Sequence, residues 1–141
     1  MNDLRAKLVD VALEWERSYG NAPAVTSAIS EFDAAMLLGL TPADYSIAMQ
    51  GSTAVQRGVD FKHQGKRYQV KACRPSGKKG SFVTRVPKPS NYDWDILIWI
   101  LYNPKYEIQE AWQWDMEPFR ASLDHLTRLS PAHLRQGKKI A

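Results

Sequence analysis

The sequence of 141 residues has one cysteine, Cys73, so no disulfide can form within the chain, and a reducing compartment is the simpler expectation. No apolar run approaches the ~18 residues that a membrane-spanning helix requires; the longest, Ile96–Tyr102, has the length of a strand. The amino terminus reads Met-Asn-Asp-Leu-Arg and mixes charge with apolar residues, unlike a signal peptide. These absences lead to the expectation of a soluble, cytoplasmic protein with no membrane partner. No glycine-rich phosphate loop is present, so no nucleotide cofactor is expected. The three histidines, His63, His125 and His133, have no metal-ligand spacing with Cys73, which argues against a zinc site. No repeat, low-complexity segment, long linker or recognisable nucleophile motif occurs.

What is present suffices for one compact domain spanning 1–141, because domains peak at about 100–150 residues and 44% of this chain is hydrophobic. A formal charge of +4 leans toward an anionic partner. Its distribution is more telling. Lys62, Lys66, Arg67, Lys71, Arg74, Lys78, Lys79, Arg85 and Lys88 crowd one stretch, with Asp60 as the acid beside it.

The hydrophobic period changes along the chain. Leu4, Leu8, Val11, Ala12 and Trp15 recur at helical spacing and predict a helix over about Asp3–Ser18 with that stripe buried. After the break at Gly20–Pro23, Thr26 or Ser27 opens a second helix to about Leu38, with Ile29, Phe32, Met36 and Leu40 inward. Thr41-Pro42-Ala43-Asp44 is a start signal for a third, short helix. Alternation then predicts strands over Val59–His63 and Arg67–Cys73, a possible strand over Ser81–Val86, a strand buried on both faces over Asp95–Tyr102, and another over Tyr106–Trp114. A last helix is expected over Pro118–Leu129, and Ser130-Pro131 opens a tail. The class is α+β or mixed α/β: a helical part over about 1–50, a sheet part over about 56–115, and a C-terminal helix and tail over 116–141.

If Gln64 and Gly65 form a two-residue turn, His63 pairs with Lys66, Lys62 with Arg67, Phe61 with Tyr68, and Asp60 with Gln69. Val59, Phe61, Tyr68, Val70 and Ala72 then make an apolar face. The other face carries Asp60, Lys62, Arg67, Gln69 and Lys71. Opposed residues have Cβ atoms about 4.5–5.5 Å apart, so Asp60 and Gln69 could share one cation, with Lys71 two residues further on.

An Asp on one strand, then an acid or its replacement, an apolar residue and a Lys on the next, resembles the core of the PD-(D/E)XK, or restriction-endonuclease-like, nucleases. Here the residues are Val59-Asp60 and Gln69-Val70-Lys71, in a QxK form of the motif. Glu31 on the second helix matches the place of the family's additional carboxylate, with Asp33 as a competitor. The resemblance covers roughly Ser27 to Trp114 and departs from the family pattern in lacking Pro before Asp60 and in having Gln69 for the usual acid.

The resemblance implies a Mg²⁺-dependent DNA endonuclease, with Mn²⁺ as a substitute, that leaves 5′-phosphate and 3′-hydroxyl ends. Asp60, Gln69 and Glu31 would ligate the metal, and Lys71 would orient the attacking water. Arg67, Arg74, Ser76, Lys78, Lys79, Arg85 and Lys88 are the expected contacts to the nucleic-acid backbone. Duplex or branched DNA is the expected partner, and a homodimer if both strands of a duplex are cut. The alternative is a nuclease-fold module that binds nucleic acid without cutting it. Tyr92, Trp94, Trp99, Trp112 and Trp114 are expected mainly in the core.

Overall fold

The computed structural model describes residues 3–51 and 58–141; Met1 and Asn2 of the expected terminus, and the start of the expected sheet part at Gln56–Arg57, lie outside the described residues. Three helices come first: α1 (Asp3–Tyr19), α2 (Thr26–Leu37) and α3 (Pro42–Gln50). Strands β1 (Phe61–His63), β2 (Lys66–Cys73), β3 (Ile96–Tyr102) and β4 (Ile108–Asp115) follow, then α4 (Met116–Leu123), α5 (Pro131–Leu134) and β5 (Lys138–Lys139). The five strands form one mixed sheet in the order β1-β2-β3-β4-β5, in which only β2 and β3 run parallel. The expected α+β class with N-terminal helices, a mixed sheet and a C-terminal helix is what the chain adopts. Among the described residues no helix is long and apolar enough to cross a membrane.

Local chemistry accounts for the element boundaries. Thr41 caps α3 as expected: its hydroxyl accepts from the Asp44 N–H at 3.1 Å, and the Asp44 carboxylate accepts from the Thr41 N–H at 3.2 Å. The β1–β2 turn has φ +50° at Gln64 and +77° at Gly65. Positive φ at both central residues is what a type I′ hairpin turn needs, and it fixes the pairing of His63 with Lys66, Lys62 with Arg67 and Phe61 with Tyr68.

Three expectations are corrected. Ser81–Val86 is not a strand; only Val86 pairs, with Leu129, and Pro87 and Pro89 remove the donors that would extend a ladder. The C-terminal helix ends at Leu123 rather than Leu129, because Lys88 Nζ takes the carbonyls of Asp124 and Leu126 and the chain turns so that Leu129 reaches Val86. The apolar stripe of α1 is largely in solvent: Leu4, Val11 and Trp15 are 74%, 58% and 50% exposed.

Two ion pairs explain how α1 is turned. Arg5, Val9, Ala12 and Glu16 fall on one helical stripe, and that stripe faces the sheet. Arg5 makes a bidentate pair with buried Asp33 of α2, at 2.6 and 2.8 Å, and donates to the Tyr106 carbonyl. The Tyr102 hydroxyl donates to the same carboxylate at 2.6 Å. Glu16 pairs with Arg74 at 2.8 and 2.9 Å. Polar anchoring therefore outweighs the apolar stripe in orienting the helix.

The sheet has a core on each side. Phe61, Tyr68, Val70, Ile98 and Ile100 pack with α1 and α2. Cys73, Leu97, Trp99 and Trp114 pack with α4 and the segment around Val86. Ile98, Trp99 and Ile100 have no exposed surface, so β3 is the spine of the sheet, and burying such a side chain stabilises by roughly 1.5–3 kcal/mol.

Removing the Asp33 carboxylate leaves a cation and a phenol without their shared partner in the interior. Asp33→Ala is expected to lower the unfolding free energy by about 3 kcal/mol, read from the urea midpoint. An unchanged midpoint would show that Arg5, Asp33 and Tyr102 do not hold the helices to the sheet.

Candidate active site

The chain enters β1 through Gly58, where φ is +76° and an added Cβ would overlap the Asn91 side chain, so only glycine fits without strain. Two residues later it reaches Asp60. The Asp60 N–H donates to the Tyr68 carbonyl at 2.8 Å. Its carboxylate Oδ2 accepts from the Val70 N–H at 2.7 Å. Beyond the end of β1, the edge of β2 would expose that N–H; Asp60 supplies its acceptor and ends the ladder.

Glu31 comes to Asp60 from α2, on the helical side of the sheet. Burial, the Asp60 charge and a hydrogen bond with Asp60 together push the Glu31 carboxyl up to about 7. Tyr45 of α3 stands close by: burial, then the charges of Glu31 and Asp60, push its hydroxyl up to about 12. Sequence reasoning passed over Tyr45, since nothing in the short helix α3 marks it. It is held by rings, with Phe32 5.5 Å and Phe61 6.3 Å away between centroids.

Gln69 and Lys71 flank Val70 on β2. Tyr68 and Val70 point into the helical-side core, so alternation turns Gln69, Lys71 and Cys73 to the other face. Gln69 is buried and Lys71 half-buried. Among the described residues, no hydrogen bond or ion pair joins either side chain to Asp60 or Glu31. The two carboxylates are brought together; Gln69 and Lys71 are their neighbours along the strand rather than their partners. Asp33, the competitor of Glu31, is committed to Arg5 and Tyr102.

Among the described residues there is no group of three or more His, Cys, Asp or Glu that could hold a metal ion. The oxygen donors that meet at the edge of β2 are the carboxylates of Glu31 and Asp60; the Gln69 amide sits beside Val70 on the other face of the strand. Their chemistry suits a hard cation: all are oxygen donors, and a hydrated divalent ion such as Mg²⁺ takes only one or two carboxylates from a protein. The raised Glu31 carboxyl points the same way, because the Asp60 charge that helps to raise it is one a cation would also offset.

The basic residues divide into two groups. Arg67 is clamped to Asp95 by two bonds of 3.1 Å, which holds Asp95 down to about 2. Arg74 is held by Glu16 and lies 4.4 Å from the centre of the Tyr106 ring. Lys88 ends on two carbonyls at 2.7 Å. Ser76 closes its own loop, accepting from the Lys78 N–H at 3.3 Å. Lys78, Lys79 and Arg85 are exposed and make no ion pair among the described residues.

A cleft of about 960 Å³ lies further along, between the α1–α2 connection and the loop after β2. Ala72, Cys73 and Arg74 of the β2 end line it, and Glu31 and Asp60 do not. The cleft and the carboxylate pair are thus separate places on one strand.

Glu31 binds its proton more tightly folded than unfolded. Without divalent ions its contribution to stability is therefore full below about 4.5, its ordinary value, and is lost as pH rises through about 7. We expect the melting temperature in EDTA to fall over that window relative to Glu31→Gln, which lacks the titration. Asp60→Asn keeps an oxygen for the Val70 N–H and removes the like charge, so the Glu31 carboxyl should titrate lower, as read by carbon NMR; an unmoved titration would refute the pairing. In comparison with known proteins, no family model and no curated protein matches the chain.

Proposed function

We propose that the protein is a divalent-metal-dependent DNA endonuclease of the PD-(D/E)XK kind, with Glu31, Asp60, Gln69 and Lys71 as its site and Mg²⁺ as its natural ion. The observation that carries this reading is the meeting of Glu31 and Asp60. Two acids, one on α2 and one in the bend before β1, 29 residues apart in the chain, come together at a sheet edge. A purely structural role would favour an opposite charge beside Asp60, not a second acid.

Bound there, Mg²⁺ would stabilise charge on the scissile phosphate and acidify a coordinated water. The protein's own part is positional. Asp60 is oriented by the Val70 N–H, which donates to Oδ2. Gln69, next to Val70 on β2 and on its other face, would offer a neutral amide oxygen to a cation at the strand edge. Lys71, with no internal ion pair among the described residues, is free to donate to phosphate oxygens and the attacking water. In the reaction the water oxygen bonds to phosphorus and the bond from phosphorus to the 3′ oxygen breaks. The departing oxygen takes up a proton, giving 5′-phosphate and 3′-hydroxyl ends. On duplex DNA, two strands call for two sites, and a homodimer supplies them.

The test compares wild type with Lys71→Ala on plasmid and branched DNA in Mg²⁺, Mn²⁺ or EDTA. Cleavage should require the metal and fall by roughly 10²–10³-fold in Lys71→Ala, the cost of one electrostatic donor to a charged transition state, while DNA binding persists. Salt-sensitive binding by wild type with no cleavage in either metal would favour a binding module that has lost the chemistry.

A further inference from the structure

The connection from β2 to β3 runs over 22 residues, 74–95, with only the Val86–Leu129 bridge as regular pairing. Loops of this length inside compact domains usually carry function. Its base is fastened at several points. Arg74 is fixed by Glu16 and the Pro104 carbonyl, the Cys73 thiol donates to the Arg85 carbonyl, and Lys88 is tied to the end of α4. Between these points the tip stands out, with Phe82 76% exposed.

A phenylalanine this exposed is costly in water and has no internal ring partner among the described residues. Its neighbours in the loop are the exposed cations Lys78, Lys79 and Arg85. Phe82, Lys78 and Arg85 all line the cleft of about 960 Å³, and Arg17 lines the opposite wall. The cleft's single carboxylate, Glu16, is neutralised by Arg74. At the base, the buried Tyr106 hydroxyl lacks a hydrogen-bond partner among the described residues. A cationic cleft with an aromatic ring at its lip has the two features that hold single-stranded nucleic acid: charge that follows the phosphates and a flat face for a base. Paired, stacked bases offer no such face, so a continuous duplex would use the cations and leave Phe82 idle.

We propose that the cleft beside the loop after β2 binds a single-stranded stretch of nucleic acid, with Phe82 stacking on an exposed base and Lys78, Arg85 and Arg17 on its phosphates. The ligand class rests on the nuclease reading, which it narrows from DNA in general to substrates with unpaired nucleotides, such as frayed, gapped or branched forms. Arg74 then acts as a positioning residue that sets the loop against α1, and Lys88 as a second one.

Binding measured in EDTA keeps this separate from cleavage. Fluorescence anisotropy would follow a labelled oligothymidylate and a blunt duplex of equal length, titrated with wild type, Phe82→Ala, Phe82→Trp and Arg85→Ala. Wild type should prefer the single strand by about 10-fold or more. Phe82→Ala should weaken single-strand binding by about 5- to 100-fold, the range of one base–aromatic stack, with the salt dependence unchanged, and Phe82→Trp should retain it. Arg85→Ala should reduce the slope of log K against log salt by about 0.7, the value for one phosphate on a single strand. Equal affinity for duplex and single strand, or no effect of Phe82→Ala, would overturn the proposal, as would no binding of either oligonucleotide, which would leave the loop facing a protein. Metal-dependent cleavage by wild type alongside any of these failures would show that the nuclease reading stands without it, and normal single-strand binding without cleavage would show the reverse.

Discussion

The parallel pairing of β2 with β3 is the constraint on which the rest of the molecule depends. Antiparallel neighbours can be joined by two residues, as β1 and β2 are, whereas a parallel partner requires the chain to return to the starting end of the sheet. Here that return is irregular rather than helical, and it is held by side chains: Arg74 at its start, Lys88 in its middle, and Asp95 at its end, where the carboxylate grips both the N–H and the guanidinium of Arg67. In exchange β3 becomes a central strand with both faces covered, which a run such as Ile-Leu-Ile-Trp-Ile demands. The same pairing leaves β2 with its other edge only partly covered, since β1 is three residues long against eight. The open edge is where Asp60 docks.

The basic block illustrates how charge and partner chemistry diverge. A run of cations reads as one electrostatic surface, but a fold can spend part of it internally. Arg67, Arg74 and Lys88 each close a structural gap that the irregular return creates, whereas Lys62 and Lys66 of the hairpin and Lys78, Lys79 and Arg85 of the loop are exposed without an ion pair among the described residues. An anionic polymer would therefore meet a smaller positive surface than the sequence implies, with one part at Lys78, Lys79 and Arg85 and another at the hairpin lysines Lys62 and Lys66. Localised charge beside an exposed ring favours a ligand that is bent or single-stranded over a long straight duplex, which would span more of the surface than this patch offers.

Legibility from the sequence followed the range of the interaction that decides each feature. The hairpin register was readable because a two-residue turn and a period-two pattern are local, and Gln64-Gly65 admitted the required backbone. The Thr41 cap was readable for the same reason. The rotation of α1 was not, because its apolar stripe competes with Arg5 and Glu16, whose partners Asp33 and Arg74 lie 28 and 58 residues away. Similarly, Glu31 could be placed on the right helix, but its approach to Asp60 and the presence of Tyr45 depend on how α2 and α3 sit on the sheet. The face assigned to Asp60 was only part of the answer: as a strand residue it belongs with Gln69 and Lys71, yet the bend before β1 sends its carboxylate to the Val70 N–H at the edge.

That edge position also gives Gln69 a physical rationale. The family pattern has an acid where Gln69 stands, and an acid there would add a third carboxylate on the strand beside a pair in which burial, and then the Asp60 charge, already lift Glu31 to about 7. Gln69 is among the few buried polar residues of the described part, at 9% exposure, and a charge with no counter-ion at that burial would be strongly disfavoured until a cation arrived. An amide keeps an oxygen donor and avoids that cost, so folding without metal meets no further buried charge at this position. The consequence in the nuclease reading is a weaker electrostatic pull on the cation, two carboxylates rather than three, and a stronger dependence on Glu31 being ionised. In that reading metal binding and proton release from Glu31 are coupled, so the cation's affinity rises with pH while Glu31 is still protonated in the metal-free site.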